Sequence, residues 1–392
     1  MPIRNRFAEM LPELTAWRRD FHAHPELRFD CHRTAGIVAG KLRDFGCDAV
    51  VEGIAHTGVV GVIRGRSNRS GRTVGLRADM DALPIHEATG APHASTIPGK
   101  MHACGHDGHT TMLLGAARYL AETRNFDGTV VVIFQPAEEG GAGAQVMCDE
   151  GLMDRFAIDE VYGMHNRPGH DLGEFLIRAG PFYASADEFV ITVTGKGGHG
   201  AWPNDCIDPT VAAAHLVLAL QTIASRNADP TGQIVVSVCG VRSASDAFNV
   251  IGPDVILKGT VRTLNDTMRD LAESRVRALA TSTAAAFGAV ADVDYMRGYP
   301  VMVNHAEQTE VAHDVAQAVS GRCIEAPYNM GGEDFAYMLQ HRPGAYIVMG
   351  TGAGAKLHHP RYDFNDEAIP LGSSWFVGIA EARLPFANQR AA

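Results

Sequence analysis

The sequence lacks basic runs, long apolar stretches and any regular spacing of cysteines. Its net charge is −11, and this acidity argues against a nucleic acid or an anionic membrane surface as a partner. No stretch has the length and apolarity of a membrane span, and residues 1–20 are typical of an amphipathic helix rather than a signal peptide. The seven cysteines are scattered and odd in number, which argues against a disulfide framework. We therefore expect a protein of the reducing cytoplasm.

The composition that remains is that of an ordinary globular protein, with 46% apolar and 20% charged residues. A chain of 392 residues is longer than one ordinary compact domain, so we expect two domains. The sequence contains no internal repeat or low-complexity tract that would indicate a solenoid or a disordered linker instead.

The first half of the chain alternates short β-rich runs with a helical pattern. Residues 73–78, 129–134 and 161–164 have the apolar, β-branched character of buried strands. After Asp107 the apolar residues recur at helical spacing, and aspartate is a residue type that caps helix N-termini. Strands that alternate with helices predict an α/β domain with a mainly parallel central sheet.

The middle of the chain has a different pattern, with two helices among four strands. We predict, in chain order, a strand at 188–194, a helix from Asp208-Pro209 to about residue 226, strands at 233–241 and 254–263, a helix capped by Asn265 that ends near residue 287, and a strand at 289–295. This βαββαβ order matches the ferredoxin-like split unit. We therefore expect such a unit to be inserted between two parts of one α/β domain.

Side chains that can bind a metal or transfer a proton are concentrated in five short segments. They are Arg77-Ala-Asp-Met-Asp-Ala-Leu-Pro84, His102-Ala-Cys-Gly-His-Asp-Gly-His109, Gln135-Pro-Ala-Glu-Glu-Gly140, Gly163-Met-His165 and Leu357-His-His-Pro360. Three of the five directly follow predicted strands. Because ligand sites in open α/β sheets form beyond the carboxyl ends of strands, we expect these segments to converge.

Cys104-Gly-His106 is the first pattern typical of metal ligands. A thiolate and an imidazole two residues apart can both face one metal or a metal pair, since the glycine between them permits a tight turn. For the tripeptide alone, a small buried cysteine beside an exposed histidine is an equally good interpretation. The additional side chains of His102, Asp107 and His109 in one eight-residue window favour the metal site.

Glu138, Glu139, His165 and His358 each have an ordinary explanation when taken alone. Adjacent glutamates are usually a solvated loop pair, although here they lie between a predicted buried strand and a glycine pair. A histidine that ends an apolar run, as His165 does, is commonly a core residue, and His358 has the sequence context of a surface loop. One cysteine, three histidines and a glutamate together at strand ends favour a metal site.

The ligand types indicate which metals would bind. Imidazoles, a carboxylate and a single thiolate suit borderline divalent ions such as zinc, manganese, cobalt or nickel. Five protein ligands exceed what one open catalytic ion usually needs, which favours two ions. Two ions about 3.5–4 Å apart can share a water molecule and lower its pKa toward neutrality. A carboxylate beside that water that binds no metal would then be the general base.

Six motifs occur in a definite order along nearly the whole chain. They are Phe21-His-Ala-His-Pro-Glu26, Arg77-Ala-Asp-Met-Asp-Ala-Leu-Pro84, Met101-His-Ala-Cys-Gly-His-Asp-Gly-His109, Gln135-Pro-Ala-Glu-Glu-Gly140, Gly197-Gly-His-Gly200 and Gly331-Gly-Glu-Asp-Phe335. In type and order they resemble the M20 metallopeptidase family, in particular its amidohydrolase branch of hippurate hydrolases, aminoacylases and plant auxin-conjugate hydrolases. The combination of Cys-Gly-His-Asp with Pro-Ala-Glu-Glu-Gly is highly specific to that branch.

The resemblance implies roles for individual residues. It implies that two divalent ions, of manganese, zinc, cobalt or nickel, are bound by Cys104, His106, Glu139, His165 and His358. It implies that Glu138 is the general base, and we expect Asp81 to orient a metal ligand. His199 resembles the family histidine that reaches a neighbouring active site, where it would donate a hydrogen bond to the developing oxyanion. Asn249 and Arg262 resemble residues of a lid that hold the substrate.

The same resemblance implies a fold and an activity. It implies a zinc-peptidase-like catalytic domain formed by residues 1–183 and 299–392, with residues 184–298 as a ferredoxin-like lid that also forms a homodimer. The implied reaction is hydrolysis of the amide bond of a small N-acyl amino acid, such as a hippurate-like or N-acetyl compound, to a carboxylic acid and an amino acid. The alternatives are a dipeptidase or aminopeptidase of the same fold, a non-catalytic metal-dependent dimeric scaffold, and a redox-sensing protein centred on Cys104.

The sequence departs from the family pattern at two places. Pro253 stands one residue later after Asn249 than in the family order, because Gly252 intervenes. A second histidine, His359, follows the C-terminal ligand position. Since the family histidine lies two residues before the proline, we expect His358 rather than His359 to bind metal.

Overall fold

A computed structural model of the protein describes residues 2–386. The chain divides into two compact units. The first unit is formed by Met1–Gly180, Val303–Pro327 and Asp334–Ala392, and the second by Pro181–Met302 and Tyr328–Glu333. Within the described part of the chain, no helix combines the length and the apolarity needed to cross a membrane.

The bounds of the elements are as follows. The helices are α1 Pro2–Ala23, α2 His32–Asp44, α3 His106–Thr123, α4 Glu138–Gly141, α5 Gly143–Asp149, α6 Leu152–Arg155, α7 Pro209–Thr222, α8 Asp266–Ala286, α9 Ala306–Ser320, α10 Phe335–His341 and α11 Ile369–Arg383. The strands are β1 Ala49–Ile54, β2 Gly58–Arg64, β3 Thr73–Asp79, β4 Thr129–Gln135, β5 Glu160–Arg167, β6 Phe175–Ile177, β7 Gly180–Tyr183, β8 Ser185–Thr194, β9 Gly198–His199, β10 Ile234–Ser243, β11 Val250–Ile251, β12 Asp254–Thr263, β13 Val290–Tyr299, β14 Met302–Asn304, β15 Cys323–Glu325 and β16 Gly344–Gly350. Short turns of 3₁₀ or π helix lie at Pro203–Asp205, Ile223–Asn227 and Asp366–Ala368.

An eight-stranded sheet forms the centre of the first unit, in the order β1-β2-β4-β3-β5-β16-β6-β15. Its central strands β4, β3, β5 and β16 are all parallel to one another. Every residue of β3 and β16 is buried, as expected for parallel strands that are covered on both faces. The predicted α/β fold with a mainly parallel central sheet is therefore confirmed. Because these strands run the same way, the chain segments that follow them emerge at one edge of the sheet.

Helix α3 packs against this sheet, and the residue at which it begins differs from the one expected from the sequence. The helix begins at His106, so the prediction that Asp107 is its N-cap is wrong. Gly105 is the N-cap instead, with a φ of 89° that glycine adopts without strain. The Asp107 carboxylate accepts a hydrogen bond from His22 Nδ1 at 2.8 Å. Burial alone would lower the pKa of His22, but its bonds to Asp107 and Glu87 raise that pKa to about 9. The Asp107 carboxylate is therefore paired with His22 instead of capping the helix.

The second unit is built on an antiparallel sheet of four strands in the order β10-β12-β8-β13. Apart from the short strands β7, β9 and β11, its elements from β8 to β13 follow as strand, helix, strand, strand, helix, strand. The two predicted helix caps are confirmed. The Asp208 side chain accepts from the Thr210 N–H, and the Asn265 side chain accepts from the Met268 N–H. Helix α7 ends at Thr222, and a single π turn continues it to Asn227.

A buried ion pair stabilises the packing of α8 on this sheet. Asp187, on β8, is fully buried and accepts hydrogen bonds from Arg269 Nε at 3.0 and 3.1 Å. The Tyr295 hydroxyl and the Gly298 N–H also donate to Asp187, at 3.0 and 3.1 Å. The Asp187 carboxylate therefore joins β8, β13 and α8, and its removal would leave the buried Arg269 guanidinium without its counter-charge.

We predict that Asp187→Ala lowers the free energy of unfolding by about 3–5 kcal/mol, the usual cost of removing one partner of a buried ion pair. The control is Asp270→Ala, which removes the exposed partner of Arg297 in the same unit and should cost under about 1 kcal/mol. Urea denaturation followed by circular dichroism measures both losses. Equal losses of stability in the two variants would contradict the stabilising role of the buried ion pair between Asp187 and Arg269.

Candidate metal centre

Ligand-type side chains from four chain segments meet at the carboxyl edge of the parallel strands. The ligand atoms of Cys104, His106 and His165 all lie within 4.8 Å of one another, and so do those of Cys104, Glu139 and His358. Because the two groups share Cys104, the five residues form one cluster, which we call the ligand cluster. These are the five residues for which the sequence predicted a common metal site.

The ligand cluster contains atoms that suit a metal ion. Cys104 Sγ lies 3.4 Å from His165 Nε2, and Glu139 Oε1 lies 3.3 Å from His358 Nε2. His106 Nε2 is buried and makes no hydrogen bond to any residue from 2 to 386. Buried polar atoms nearly always have a partner. A thiol, three imidazoles and a carboxylate arranged in this way fit borderline divalent ions.

Backbone carbonyl groups orient two of the imidazoles. His106 Nδ1 donates to the Asp81 carbonyl oxygen at 2.8 Å, and His165 Nδ1 donates to the Asn166 carbonyl oxygen at 2.6 Å. A carbonyl oxygen can only accept, so each Nδ1 carries a proton, and in the neutral form of each ring the lone pair is on Nε2. Fixing the tautomer in this way is the usual arrangement for histidines that bind metal through Nε2.

The electrostatic field of the cluster is negative. Burial and the carboxylates of Glu139 and Glu138 raise the pKa of the Cys104 thiol well above its usual range. Burial alone would lower the pKa of His106, but the neighbouring carboxylates of Asp79 and Asp81 raise it to about 10. In both shifts the contribution of the carboxylates is one that a positive charge in the site would offset. A divalent cation would supply that charge and would convert the thiol to thiolate.

The turn that holds Glu138 and Glu139 is fixed by Asp81. The two oxygens of the Asp81 carboxylate accept the N–H groups of Glu138 and Glu139, at 2.9 and 3.0 Å respectively. Ala137, directly before this turn, has a φ of 58°, which is a strained conformation for alanine. The ligand atoms of His106, Glu138 and Glu139 lie within 4.8 Å of one another. The turn therefore presents two adjacent carboxylates to the same site.

His358, and not His359, lies in the ligand cluster. The His358 N–H donates to the Ala103 carbonyl oxygen at 2.8 Å, which joins the C-terminal loop to the segment that carries Cys104. His358 also has a φ of 64°, an uncommon conformation that functional sites often retain. His359 Nδ1 instead accepts the Arg361 N–H at 3.1 Å.

The three remaining residues with predicted roles lie in the second unit. His199 is on β9, whose partner strand β11 begins directly after Asn249. His199 Nδ1 accepts the Ala201 N–H at 3.1 Å, a contact within its own turn. The Arg262 guanidinium donates to the Val261 carbonyl oxygen at 3.1 Å. The structure thus brings His199 and Asn249 onto adjacent segments, and the contacts described for Arg262 are local.

Behind the ligand cluster lies a layer of buried residues, Asp79, His109 and Asn166, to which no individual role was assigned from the sequence. His109 Nδ1 donates to Asp79 Oδ1 at 2.6 Å, and His109 Nε2 accepts the Asn166 N–H at 3.0 Å. Ligand atoms of Asp79, His106 and His109 lie within 4.8 Å of one another. The three-residue spacing of His106 and His109 could have indicated that His109 lies beside the site, because residues three apart in a helix share one face. No comparable signal identified Asn166.

Comparisons with known proteins agree with the motifs. The model of "Peptidase family M20/M25/M40" matches residues 75–382. A hippurate hydrolase from Campylobacter jejuni is 40% identical, over 93% of this chain and 94% of its own. An N-acetyl-L-cysteine deacetylase from Bacillus subtilis is 38% identical, over 96% of this chain and 89% of its own.

Among solved structures, a dinuclear metal-binding peptidase of the M20 family from Bacillus subtilis is 34% identical. It aligns with a TM-score of 0.84 over 96% of this chain and 99% of that one. The family model covers most of the chain, and the relatives cover nearly all of it at well above 30% identity. The chain therefore belongs to peptidase family M20/M25/M40.

Proposed function

We propose that the protein is a metal-dependent amidohydrolase that cleaves N-acyl amino acids into a carboxylic acid and an amino acid. The observation that carries the proposal is the position of Glu138, a buried carboxylate within 4.8 Å of the ligand atoms of His106 and Glu139. A purely structural metal site needs no such extra carboxylate. The substrates named for the two curated relatives, hippurate and N-acetyl-L-cysteine, are both N-acyl amino acids.

The proposed ligands of two divalent ions are the members of the ligand cluster, Cys104, His106, Glu139, His165 and His358. Their donor types fit manganese, zinc, cobalt or nickel. When bound, the ions would supply Lewis acidity toward the amide carbonyl and lower the pKa of a water molecule toward neutrality. All seven cysteines are unpaired, and a thiol ligand requires reducing conditions, so a cytoplasmic location is part of the proposal.

Glu138 is the proposed general base. It takes a proton from the attacking water and returns that proton to the nitrogen of the leaving amine. Asp81 would support this step through the backbone, because its carboxylate fixes the N–H groups of Glu138 and Glu139. One glutamate is thereby directed to the metals while its neighbour is kept for proton transfer.

The second unit is the proposed lid, with a ferredoxin-like fold and residues 184–298 as its extent. The strand order β10-β12-β8-β13 and the two helices α7 and α8 support that fold. His199 would donate a hydrogen bond to the carbonyl oxygen as negative charge develops there. Arg262 would pair with the substrate carboxylate and Asn249 would bind the substrate beside it.

The lid is also the proposed dimer interface. Strand β10 is an edge strand, and such a strand presents unpaired backbone groups that a second copy can pair with. Helix α7 packs beside it and exposes an apolar face, on which Leu218 is 70% and Val211 44% exposed. Val241, on β10 itself, is 56% exposed. Apolar side chains next to an open strand edge are typical of an interface between copies of one chain.

We predict that N-acetyl, N-benzoyl or indole-acyl amino acids are hydrolysed, that a chelator abolishes this activity, and that manganese, zinc, cobalt or nickel restores it. Dipeptides, tested in the same panel, should be poorer substrates. The measurement is release of the free amino acid. Hydrolysis of dipeptides alone would favour a dipeptidase of the same fold, and no hydrolysis with any ion would favour a non-catalytic scaffold.

We predict that Glu138→Gln retains the fold and the bound metal but loses about 10²- to 10⁴-fold in turnover, the usual contribution of a general base. Glu139→Gln is the matched comparison, because it removes a proposed ligand one residue away and should lower the metal content. Turnover and elemental analysis distinguish the two variants. Near-normal activity of Glu138→Gln would show that another group is the base.

We predict that His199 acts in the active site of the partner subunit. Mixing inactive Glu138→Gln and His199→Ala subunits should restore up to about a quarter of wild-type activity, since half of the dimers are mixed and each has one complete site. Adding Leu218→Asp to both variants should prevent dimers and abolish the recovery. Mixed dimers that form, as judged by mass, but stay inactive would contradict a role in trans.

A further inference from the structure

Asn166, a residue with no assigned role, is fully buried behind the ligand cluster and contacts several of its segments. Its side-chain Nδ2 donates to the Cys104 carbonyl oxygen at 2.6 Å and lies 2.9 Å from His109 Nε2. Its own carbonyl oxygen accepts from His165 Nδ1. Asn166 therefore contacts two of the residues proposed as ligands, Cys104 and His165, and also His109 behind them.

The side-chain oxygen of Asn166, Oδ1, is hydrogen-bonded to Tyr362. The Tyr362 hydroxyl donates to Asn166 Oδ1 at 2.7 Å. Because the Cys104 carbonyl oxygen can only accept, the amide NH₂ must face Cys104, which leaves Oδ1 as the acceptor for Tyr362. Tyr362 lies four residues after His358, and its N–H donates to the His359 carbonyl oxygen at 2.8 Å. The bond between Asn166 and Tyr362 thus reaches the loop that carries His358.

The backbone between Cys104 and His106 is shaped to fit this pair. A Cβ atom on Gly105 would lie 2.3 Å from Asn166 Nδ2 and 2.5 Å from the Tyr362 hydroxyl oxygen, so no side chain can be placed there. The φ of 89° at Gly105 independently favours glycine. The loop of Cys104 is therefore packed directly onto the hydrogen bond between Asn166 and Tyr362.

We propose that Asn166 and Tyr362 are positioning residues that fix the distances between the ligands Cys104, His165 and His358. The three ligands come from chain segments far apart in sequence, and Asn166 with Tyr362 forms a hydrogen-bonded connection among all three. The inference rests on the metal centre proposed above and adds to it two residues that touch neither metal nor substrate. Groups that hold ligands in this way typically change metal affinity by 10- to 100-fold when they are removed.

The test is Tyr362→Phe, which removes one hydroxyl and leaves the shape of the ring unchanged. The matched control is Tyr162→Phe, because Tyr162 is also fully buried in the first unit and its hydroxyl donates to Glu160 at 2.8 Å, at the opposite end of β5 from His165. Titration of the metal-free proteins with Co²⁺, followed by the thiolate-to-cobalt charge-transfer band, reports affinity and the Cys104 environment together. Thermal unfolding of the metal-free proteins measures the stability that each variant loses.

We expect both variants to lose similar stability without metal, but only Tyr362→Phe to bind Co²⁺ about tenfold more weakly with a shifted charge-transfer band. Asn166→Asp, which replaces the donating NH₂ by an oxygen, should weaken binding further. Wild-type Co²⁺ binding by Tyr362→Phe, or an equal loss in Tyr162→Phe, would overturn the inference while leaving the metal centre intact. Absence of the band in the wild-type protein would overturn the metal centre and the inference with it.

Discussion

The burial of a thiol, carboxylates and imidazoles at one edge of the parallel sheet is the constraint on which the rest of the centre depends. Polar groups removed from water destabilise a fold unless each finds a partner. The Asp81 carboxylate finds two backbone N–H groups, and the Nδ1 atoms of His106 and His165 find carbonyl oxygens. His106 Nε2 is left without a hydrogen bond to the described chain, and Glu139 Oε1 has the His358 imidazole 3.3 Å away. A divalent cation is the kind of partner that these donor atoms would suit.

The same constraint explains the strained backbone at two residues near the ligand cluster. Ala137 and His358 both have positive φ, and both stand beside or within the ligand cluster. Such conformations persist when the surrounding contacts determine the position of the chain more strongly than the local preference of the residue. Here the contacts are the hydrogen bonds of Asp81 to the glutamate turn and of His358 to Ala103. Local strain is thus a consequence of bringing four segments to one point.

The two units contain different groups of the residues with proposed roles. Every proposed metal ligand and the proposed base belong to the first unit, whereas His199, Asn249 and Arg262 belong to the second. The central strands β3 and β16 of the first unit are wholly buried, which suits residues whose positions must be fixed to a fraction of an ångström. The second unit has an open strand edge and an exposed apolar helix face, which suits association. In the proposed enzyme, catalysis would need both.

Much of the fold followed from local sequence patterns. The buried strands at β3 and β4 were predicted almost to the residue, because continuous apolar, β-branched runs have few other stable conformations. The caps Asp208 and Asn265 were predicted correctly because a cap bonds to N–H groups two or three residues away. The five candidate ligands were predicted from the family motifs, and their convergence was expected because the carboxyl ends of parallel strands share one edge.

The sequence by itself therefore determined the elements, the mainly parallel sheet and the ligand types, all of which depend on neighbours close along the chain. Only the tertiary structure decided what each buried polar side chain contacts. Asp107 has the sequence context of a helix cap but pairs with His22, which is 85 residues away. Asn166 and Tyr362 are 196 residues apart, and no periodicity in the sequence relates them. Their roles arise from burial, because a polar group that has lost water must bond to whatever the fold places beside it.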